Sequence, residues 1–179
     1  LSTTYARAGE GGTGAAKCGG NYAASMIAQT EGEKHGCKQV IFKDPHRGDA
    51  IEELGGMNVF FIFGKENKIV TPELTGTILE GVTRSSLIQL AKDRGMTVEE
   101  RAITLNEWRE GVANGDITEI FACGTAAVVA PIGKLKAEDF EIPAPTEHFG
   151  EISKSLREEL VGIQLGTVED RHGWMTRLI

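Results

Sequence analysis

The chain has 179 residues, of which 40% are hydrophobic and 25% are charged, a composition typical of one soluble globular domain. Its net charge of −7 argues against nucleic acid as a partner, because no surface would be basic enough to meet a phosphate backbone. No apolar stretch is long enough to cross a bilayer, and no signal-peptide pattern opens the sequence. The chain begins Leu-Ser-Thr-Thr without an initiator Met, and we therefore expect a fragment or a processed product.

Helical and strand patterns alternate along the sequence. In chain order, helices are predicted over residues 21–35, 85–94, 105–113 and 152–165, and strands over 39–42, 59–63, 68–71, 97–102, 117–122 and 127–132. Gly-Lys-Glu-Asn between the second and third strands predicts a hairpin, and Tyr22, Met26 and Ile27 are the expected inward positions of the first helix. Strands interleaved with amphipathic helices predict an α+β or α/β fold in which helices cover a sheet.

The cysteines and histidines do not form a metal-binding pattern. The three cysteines, Cys18, Cys37 and Cys123, are odd in number and widely spaced, which indicates free thiols in a reducing compartment. Cys-x-x-Cys does not occur, and the four histidines are scattered, whereas a zinc site needs three or four convergent ligands. We therefore expect no metal, and a semi-buried, unreactive thiol at Cys123.

Lys17 lies in an unusual setting for a lysine. The segment GGTGAAKCGGNYAAS, residues 11–25, surrounds it with small and uncharged residues. Small neighbours let another molecule approach the amine, and an apolar setting lowers the pKa of a lysine and frees its lone pair to attack a carbonyl. These are the requirements of a Schiff-base lysine. The alternative is a flexible loop that carries one solvated lysine.

Glu53 is a second candidate, in the segment IEELGGMNVF at residues 51–60. This carboxylate enters a Gly-Gly turn just before a buried strand, with no basic residue beside it in the sequence. It is either an exposed loop acid or a carboxylate aimed at a ring nitrogen that it keeps protonated.

Two short segments are candidates for binding an anion. GVTRS, at residues 81–85, precedes a predicted helix, whose first N–H groups can hold a phosphate with help from the Thr83 hydroxyl. CGTAA, at residues 123–127, is a turn of small residues that can present successive N–H groups to an anion. The alternatives are a threonine that only caps its helix and a simple tight turn.

Together these segments resemble the C-terminal, cofactor-bearing domain of the branched-chain amino acid aminotransferases, which are fold-type IV pyridoxal-phosphate enzymes. AAKCGGNYAAS, EELGGMNVFF, LEGVTRSSL and FACGTAAVVAP occur in the family's order, and the 36 residues between Lys17 and Glu53 suit that family. The resemblance extends over residues 1–179. It implies a mixed sheet or pseudo-barrel flanked by helices, and an N-terminal small domain that is absent from this chain.

The resemblance also implies roles for individual residues. Lys17 would form the aldimine with pyridoxal 5'-phosphate and act as acid and base, and Glu53 would pair with the pyridine nitrogen. The other implied cofactor contacts are Tyr22 at the phenolic oxygen, Leu79 on the ring face, and Val82, Thr83 and Thr125 at the phosphate. The implied substrate contacts are Gly56, Thr125 and Ala126. Animal members carry a Cys-x-x-Cys pair where this chain has Ala127 and Ala130, and we therefore expect no redox switch at Cys123.

The implied activity is transfer of the amino group between leucine, isoleucine or valine and 2-oxoglutarate, by a cytoplasmic homodimer. The N-terminal domain would supply a phosphate-binding arginine and the apolar substrate pocket. Arg84 would not replace that arginine, because we expect it to point outward, and the 179 residues alone should be inactive and expose apolar surface. The alternatives are a D-amino-acid aminotransferase, a 4-amino-4-deoxychorismate lyase, or a non-catalytic binding module. The segments MNVF and GTA favour the branched-chain enzymes.

Overall fold

The computed structural model describes residues 1–146 and 148–178. It contains four α-helices in these residues: α1 (Gly19–Lys34), α2 (Val82–Asp93), α3 (Leu105–Ala113) and α4 (Glu151–Leu165). The strands are β1 (Ile41–Lys43), β2 (Ile51–Leu54), β3 (Asn58–Phe63), β4 (Lys68–Thr71), β5 (Thr97–Glu100), β6 (Ile117–Gly124), β7 (Val128–Pro131), β8 (Leu135–Lys136) and β9 (Glu141–Ile142). No helix in the described ranges combines the length and the hydropathy needed to cross a membrane.

Five strands form a mixed sheet in the order β5-β4-β3-β6-β7. β3 is antiparallel to both of its neighbours, β6 is antiparallel to β7, and β4 runs parallel to β5. β1 pairs with β2 and β8 pairs with β9 in two small antiparallel sheets. A mixed sheet flanked by helices confirms the expected fold class.

The central strand β3 explains how the helices are arranged. All six of its residues are buried, and neighbouring side chains on a strand point to opposite faces. Phe61 packs edge-on against Trp108 of α3, with ring centroids 5.0 Å apart, on one face of the sheet. Phe60 stacks on Phe121 at 5.1 Å on the other face, where α2 and α4 contribute Leu87 and Leu156. A continuous apolar run is therefore what this position requires.

Most predicted elements are confirmed, and three short strands were missed. β3 and β4 form the predicted hairpin, and β6 and β7 flank the turn at residues 125–127. The sequence patterns did not predict β2 as a paired strand and did not reveal β8 or β9. These strands have two to four residues, and such short segments carry too little periodicity to be recognised without their partners.

The expected inward face of α1 is wrong. Tyr22, Met26 and Ile27 are 36%, 67% and 52% exposed, whereas the buried residues of α1 are Asn21, Ser25 and Ala28. A Cβ placed on Gly55 would lie only 3.2 Å from the Ser25 Cβ, and the helix therefore approaches the turn after β2 very closely. Such an approach requires small side chains on the inward face, and this determines which way α1 faces.

The expected orientation of Arg84 is also wrong. Its side chain is 3% exposed and donates hydrogen bonds of 2.9 Å to the Pro72 carbonyl and to Glu100 Oε2. Arg84 therefore joins the first turn of α2 to the segments that follow β4 and β5. The guanidinium charge is therefore paired with groups inside the domain.

Candidate active site

The segment that carries Lys17 is fastened to the segment before α2. Arg7 Nη2 donates to the Gly14 carbonyl at 2.9 Å and to the Thr77 carbonyl at 2.5 Å, and the Ala15 N–H donates to the Gly76 carbonyl at 3.0 Å. A Cβ on Gly14 would lie 2.2 Å from the Thr77 carbonyl oxygen, closer than any side chain allows. Gly14 is thus required where the two segments touch.

Asn21 holds the other side of the same loop. Its amide donates to the carbonyls of Thr13 and Ala16 at 2.8 Å and 3.1 Å, and its Oδ1 accepts from the Thr13 hydroxyl at 2.9 Å. These contacts bracket Lys17, which is exposed, with Nζ 5.7 Å from the centroid of the Tyr22 ring. The described residues therefore leave the amine accessible and do not supply the apolar enclosure expected from its neighbours in sequence.

Glu53, at the end of β2, is 3% exposed and strongly held. Arg7 forms an ion pair with Oε1, the Leu79 N–H donates to Oε1 at 3.1 Å, and Asn58 Nδ2 lies 3.4 Å from Oε2. Burial raises the pKa of Glu53 to about 7, against the opposing effects of Arg7 and the Leu79 N–H. Glu53 is therefore a buried carboxyl that titrates near neutral pH.

Arg7 was not predicted as the partner of Glu53, because no basic residue stands beside Glu53 in the sequence. The two residues lie far apart in the chain, and the pairing depends on how the Lys17 loop folds back. One signal was available. Arg7 is the only basic residue before Lys17, and a lone arginine in a segment of small residues is a candidate for an internal contact.

Asn58 connects Glu53 to the start of α2. Its amide donates to the Leu79 carbonyl at 2.9 Å, and a Cβ on Gly81 would lie 2.3 Å from its Oδ1. Gly81 has φ +67°, a conformation that favours glycine, and it is the residue before the first turn of α2. Both backbone groups of Leu79 are consequently bound, one by Glu53 and one by Asn58.

The first turn of α2 has no side-chain cap within the described residues. Thr83 is the second residue of the helix, so that it does not act as its cap, and Val82 is 85% exposed. The first N–H groups of a helix have no partner inside the helix. In α2 they are therefore left for a ligand or for water.

The turn at residues 125–127 lies at the same end of the sheet. Cys123 of β6 pairs with Asn58 of β3, which brings the residues after Cys123 next to the Asn58 and Gly81 contact. Thr125 and Ala126 are exposed, and so is Gly56, whose carbonyl oxygen lies 3.4 Å from where a Cβ on Gly124 would be. The predicted site residues are thus gathered at one edge, formed by the Lys17 loop, the end of β2, the start of α2 and this turn.

Cys123 is fully buried, where the sequence predicted a semi-buried thiol. Burial raises the pKa of Cys123 to about 12, which keeps the sulfur as an unreactive thiol. In the ranges that the structure describes, no group of three histidine, cysteine or acidic side chains could hold a metal ion.

Comparison with known proteins identifies the family. The family model described as Amino-transferase class IV matches residues 7–135, which include every residue of the candidate site. The chain belongs to the amino-transferase class IV family. The resemblance to branched-chain amino acid aminotransferases is confirmed by similar proteins of that name. A branched-chain-amino-acid aminotransferase of Mycolicibacterium smegmatis is 52% identical over 180 residues, which cover 99% of this chain and 49% of that protein. A probable one from Streptomyces coelicolor is 49% identical over 178 residues, with 99% and 49% covered.

Solved structures of branched-chain amino acid aminotransferases have the same fold. A branched-chain amino acid aminotransferase from Escherichia coli matches with a TM-score of 0.80 and 30% identity over 98% of this chain and 55% of that chain. The enzyme from Thermobaculum terrenum, solved in its PLP-form, matches with a TM-score of 0.78 and 29% identity over 97% and 52%. The chain thus spans about half the length of the relatives that it matches.

Proposed function

We propose that this chain is the cofactor-binding part of a pyridoxal-phosphate aminotransferase that exchanges the amino group between branched-chain L-amino acids and 2-oxoglutarate. The observation that carries the proposal is Glu53, a buried carboxyl held by Arg7 at the edge where Lys17 is accessible. The names of the relatives, and the PLP-form of the Thermobaculum terrenum enzyme, support it.

The chain's residues fit pyridoxal 5'-phosphate at its three functional positions. Lys17 offers an accessible amine for the aldehyde carbon, and Glu53 offers a buried carboxyl for the ring nitrogen. The uncapped first turn of α2, approached without a Cβ at Gly81, offers N–H groups for the phosphate. When bound, the cofactor supplies an electron sink that stabilises negative charge at the substrate's α-carbon.

Lys17 has two roles in this proposal. Its amine would hold the cofactor covalently, and once freed it would take the proton from the substrate's α-carbon and return it at the cofactor's C4' carbon. The hydrogen bonds of Asn21 to Thr13 and Ala16 fix the loop on both sides of the amine. They fix the backbone of the loop and leave the Lys17 amine exposed.

Glu53 provides a negative charge that keeps the ring nitrogen protonated. Arg7 favours the ionised form of this carboxyl, and the Leu79 N–H holds its Oε1 in place. Leu79 would in turn pack on the ring face, with its backbone fixed by Glu53 and Asn58. Tyr22 would contact the phenolic oxygen from the exposed face of α1.

The remaining proposed contacts to the cofactor and the substrate lie mainly on the first turn of α2 and on the turn at residues 125–127. We assign Val82, Thr83 and Thr125 to the phosphate, and Gly56, Thr125 and Ala126 to the amino acid. The turn that carries Thr125 lies beside the start of α2 because Cys123 pairs with Asn58. Burying both ligands would require an N-terminal domain of the same enzyme, which would also supply the apolar side-chain pocket. We further propose a cytoplasmic homodimer.

Borohydride trapping in the full-length protein tests the role of Lys17. Reduction of the pyridoxal-phosphate-loaded protein followed by peptide mapping should label Lys17. Lys17→Ala should lose the visible absorbance of the lysine–cofactor imine and about 10²–10⁴-fold or more of the turnover. Lys154→Ala, an exposed lysine of α4, is the control and should keep both.

Two results would argue against the proposal. A label on another lysine would show that Lys17 does not hold the cofactor. Turnover of D-amino acids but not of L-leucine would favour a D-amino-acid aminotransferase.

A further inference from the structure

Val128 has a backbone conformation that is unusual for its residue type. Its φ is +56°, in the left-handed region, where the Cβ of an L-residue crowds a carbonyl oxygen and a β-branched residue is an outlier. Among the described non-glycine residues only Asn67 also has a positive φ, and asparagine tolerates it. Val128 begins β7, directly after the turn at residues 125–127. A strained residue therefore lies beside the turn to which we assign ligand contacts.

The turn belongs to a hairpin of a kind in which glycine is usual at the left-handed position. Gly124 pairs with Val128 and Cys123 pairs with Val129, so that β6 and β7 are joined by residues 125–127 alone. Short hairpin loops commonly close with one left-handed residue, where glycine fits without strain. Because valine stands there instead, we looked for what its side chain contacts.

The left-handed conformation changes the face of the sheet to which Val128 points. Side chains alternate along a strand, and paired residues on neighbouring antiparallel strands share a face. Val129 and its partner Cys123 both lie in the core cluster on the α2 and α4 face. In a regular strand Val128 would therefore share the opposite face with Gly124. It packs instead against the same cluster as Val129.

The opposite face is where the proposed substrate contacts lie. A Cβ on Gly124 would be 3.1 Å from Met57 Cγ and 3.4 Å from the Gly56 carbonyl oxygen. A valine side chain on this face, paired with Gly124, would narrow the space between Gly56 and the turn. With the side chain of Val128 on the core face, this space stays open and the turn is held from its core side.

We propose that Val128 is a positioning residue for the amino acid substrate. Its side chain, directed onto the core by the left-handed backbone, anchors the turn at residues 125–127 and keeps the space beside Gly56 open. It acts through the turn, which is ordered before the ligand binds, so that binding does not bear the entropy of ordering it. The identity of the ligand rests on the proposed function, whereas the anchoring of the turn does not.

The first experiment measures amide order parameters of residues 124–128 by ¹⁵N relaxation of the full-length protein without cofactor. Val128→Gly accepts the positive φ but removes the anchoring side chain, and it should lower the order parameters of the turn while the fold is kept. Val128→Ile keeps the anchor and should resemble the wild type. Asn67→Gly is the matched control, because it changes the other left-handed residue, between β3 and β4, and should leave this turn unchanged.

The second experiment compares KM and kcat for L-leucine in the holoenzyme. Val128→Gly should raise KM about tenfold, since each residue that has to be ordered on binding costs about that factor, and kcat should change less. Val128→Ile and Asn67→Gly should keep the wild-type values of both.

The outcomes separate this proposal from the proposed function. Turn order in Val128→Gly equal to that of the wild type refutes the positioning role and leaves the proposed function in place. A looser turn with an unchanged KM supports the anchor but shows that the turn does not bind the amino acid, so that this part of the proposed function fails. A rise of KM in Asn67→Gly as large as in Val128→Gly also refutes the positioning role. If Val128→Gly folds poorly, Val128→Ala, with a shorter side chain, should give the same changes to a smaller extent, and wild-type behaviour of that variant overturns the proposal.

Discussion

Replacing Arg7 by methionine should destabilise the protein, and the loss should grow with pH. Arg7 is 6% exposed and binds Glu53 and the carbonyls of Gly14 and Thr77. Removing one partner of a buried ion pair costs about 3–5 kcal/mol when the remaining charge stays ionised. Two carbonyls that lose a donor add to this cost.

The pH dependence follows from the raised pKa of Glu53. A shift from the ordinary value of 4.5 to about 7 means that the folded protein binds more protons than the unfolded chain between these values. Stability contributed by Glu53 therefore falls as pH rises through this window, by about 3 kcal/mol in total, and then stays constant. Without Arg7 the pKa of Glu53 rises further and the window extends above pH 7. The loss of stability in Arg7→Met should thus be smaller at pH 5, where Glu53 is neutral in both proteins and only the carbonyls of Gly14 and Thr77 lose a partner, than at pH 8.

Urea unfolding of the cofactor-free full protein at pH 5 and pH 8 measures this difference. Trp108 is 1% exposed and packs on β3, so its fluorescence reports on the core beside the site. Arg47→Met is the matched control, because Arg47 pairs with Glu73 on the surface, where such a pair contributes about 0–1 kcal/mol. Equal losses at the two pH values, or a loss in Arg47→Met as large as in Arg7→Met, would refute the reasoning.

Three further predictions concern the site. Glu53→Gln should keep pyridoxal 5'-phosphate but slow exchange of the substrate's α-proton, and unchanged exchange kinetics would place the counter-charge elsewhere. Gly81→Ala should weaken cofactor binding at least tenfold by equilibrium titration, because its Cβ would collide with Asn58 and its φ is positive; an unchanged dissociation constant would mean that the turn is not at the phosphate. Cys123, with a pKa raised to about 12, should not react with a thiol reagent at pH 8 until the protein unfolds, and rapid labelling of the native protein would contradict its burial.

The sequence predicted those parts of the fold that depend on local pattern. The apolar run of β3, the Gly-Lys-Glu-Asn connection to β4, and the periodicity of α4 each lie within a few residues, and each is confirmed. The inward face of α1 depends instead on a contact with Gly55, which hydrophobicity does not reveal. Sequence reasoning placed the largest side chains of α1 inward, and the close approach required the smallest.

The same distinction holds for the site. Lys17 and Glu53 stood out because their neighbours in sequence are unusual, whereas Arg7, Asn58 and Asn21 are defined by what they contact. The predicted orientation of Arg84 was wrong, because its hydrogen-bond acceptors lie far from it in the sequence. Its position at a helix start indicated an exposed side chain, but the ends of β4 and β5 supply the acceptors that bury it.

Asn58 explains why these separate segments form one site. It is the first residue of β3, and its side chain contacts Glu53, the Leu79 carbonyl and the space that a Gly81 Cβ would need. Its backbone pairs with Cys123, two residues before Thr125. The buried strand that holds the two faces of the core together therefore also sets the distance between the carboxyl and the two turns. A shift of β3 by one residue would exchange its core faces and break these contacts at the same time, so that the fold and the site depend on the same register.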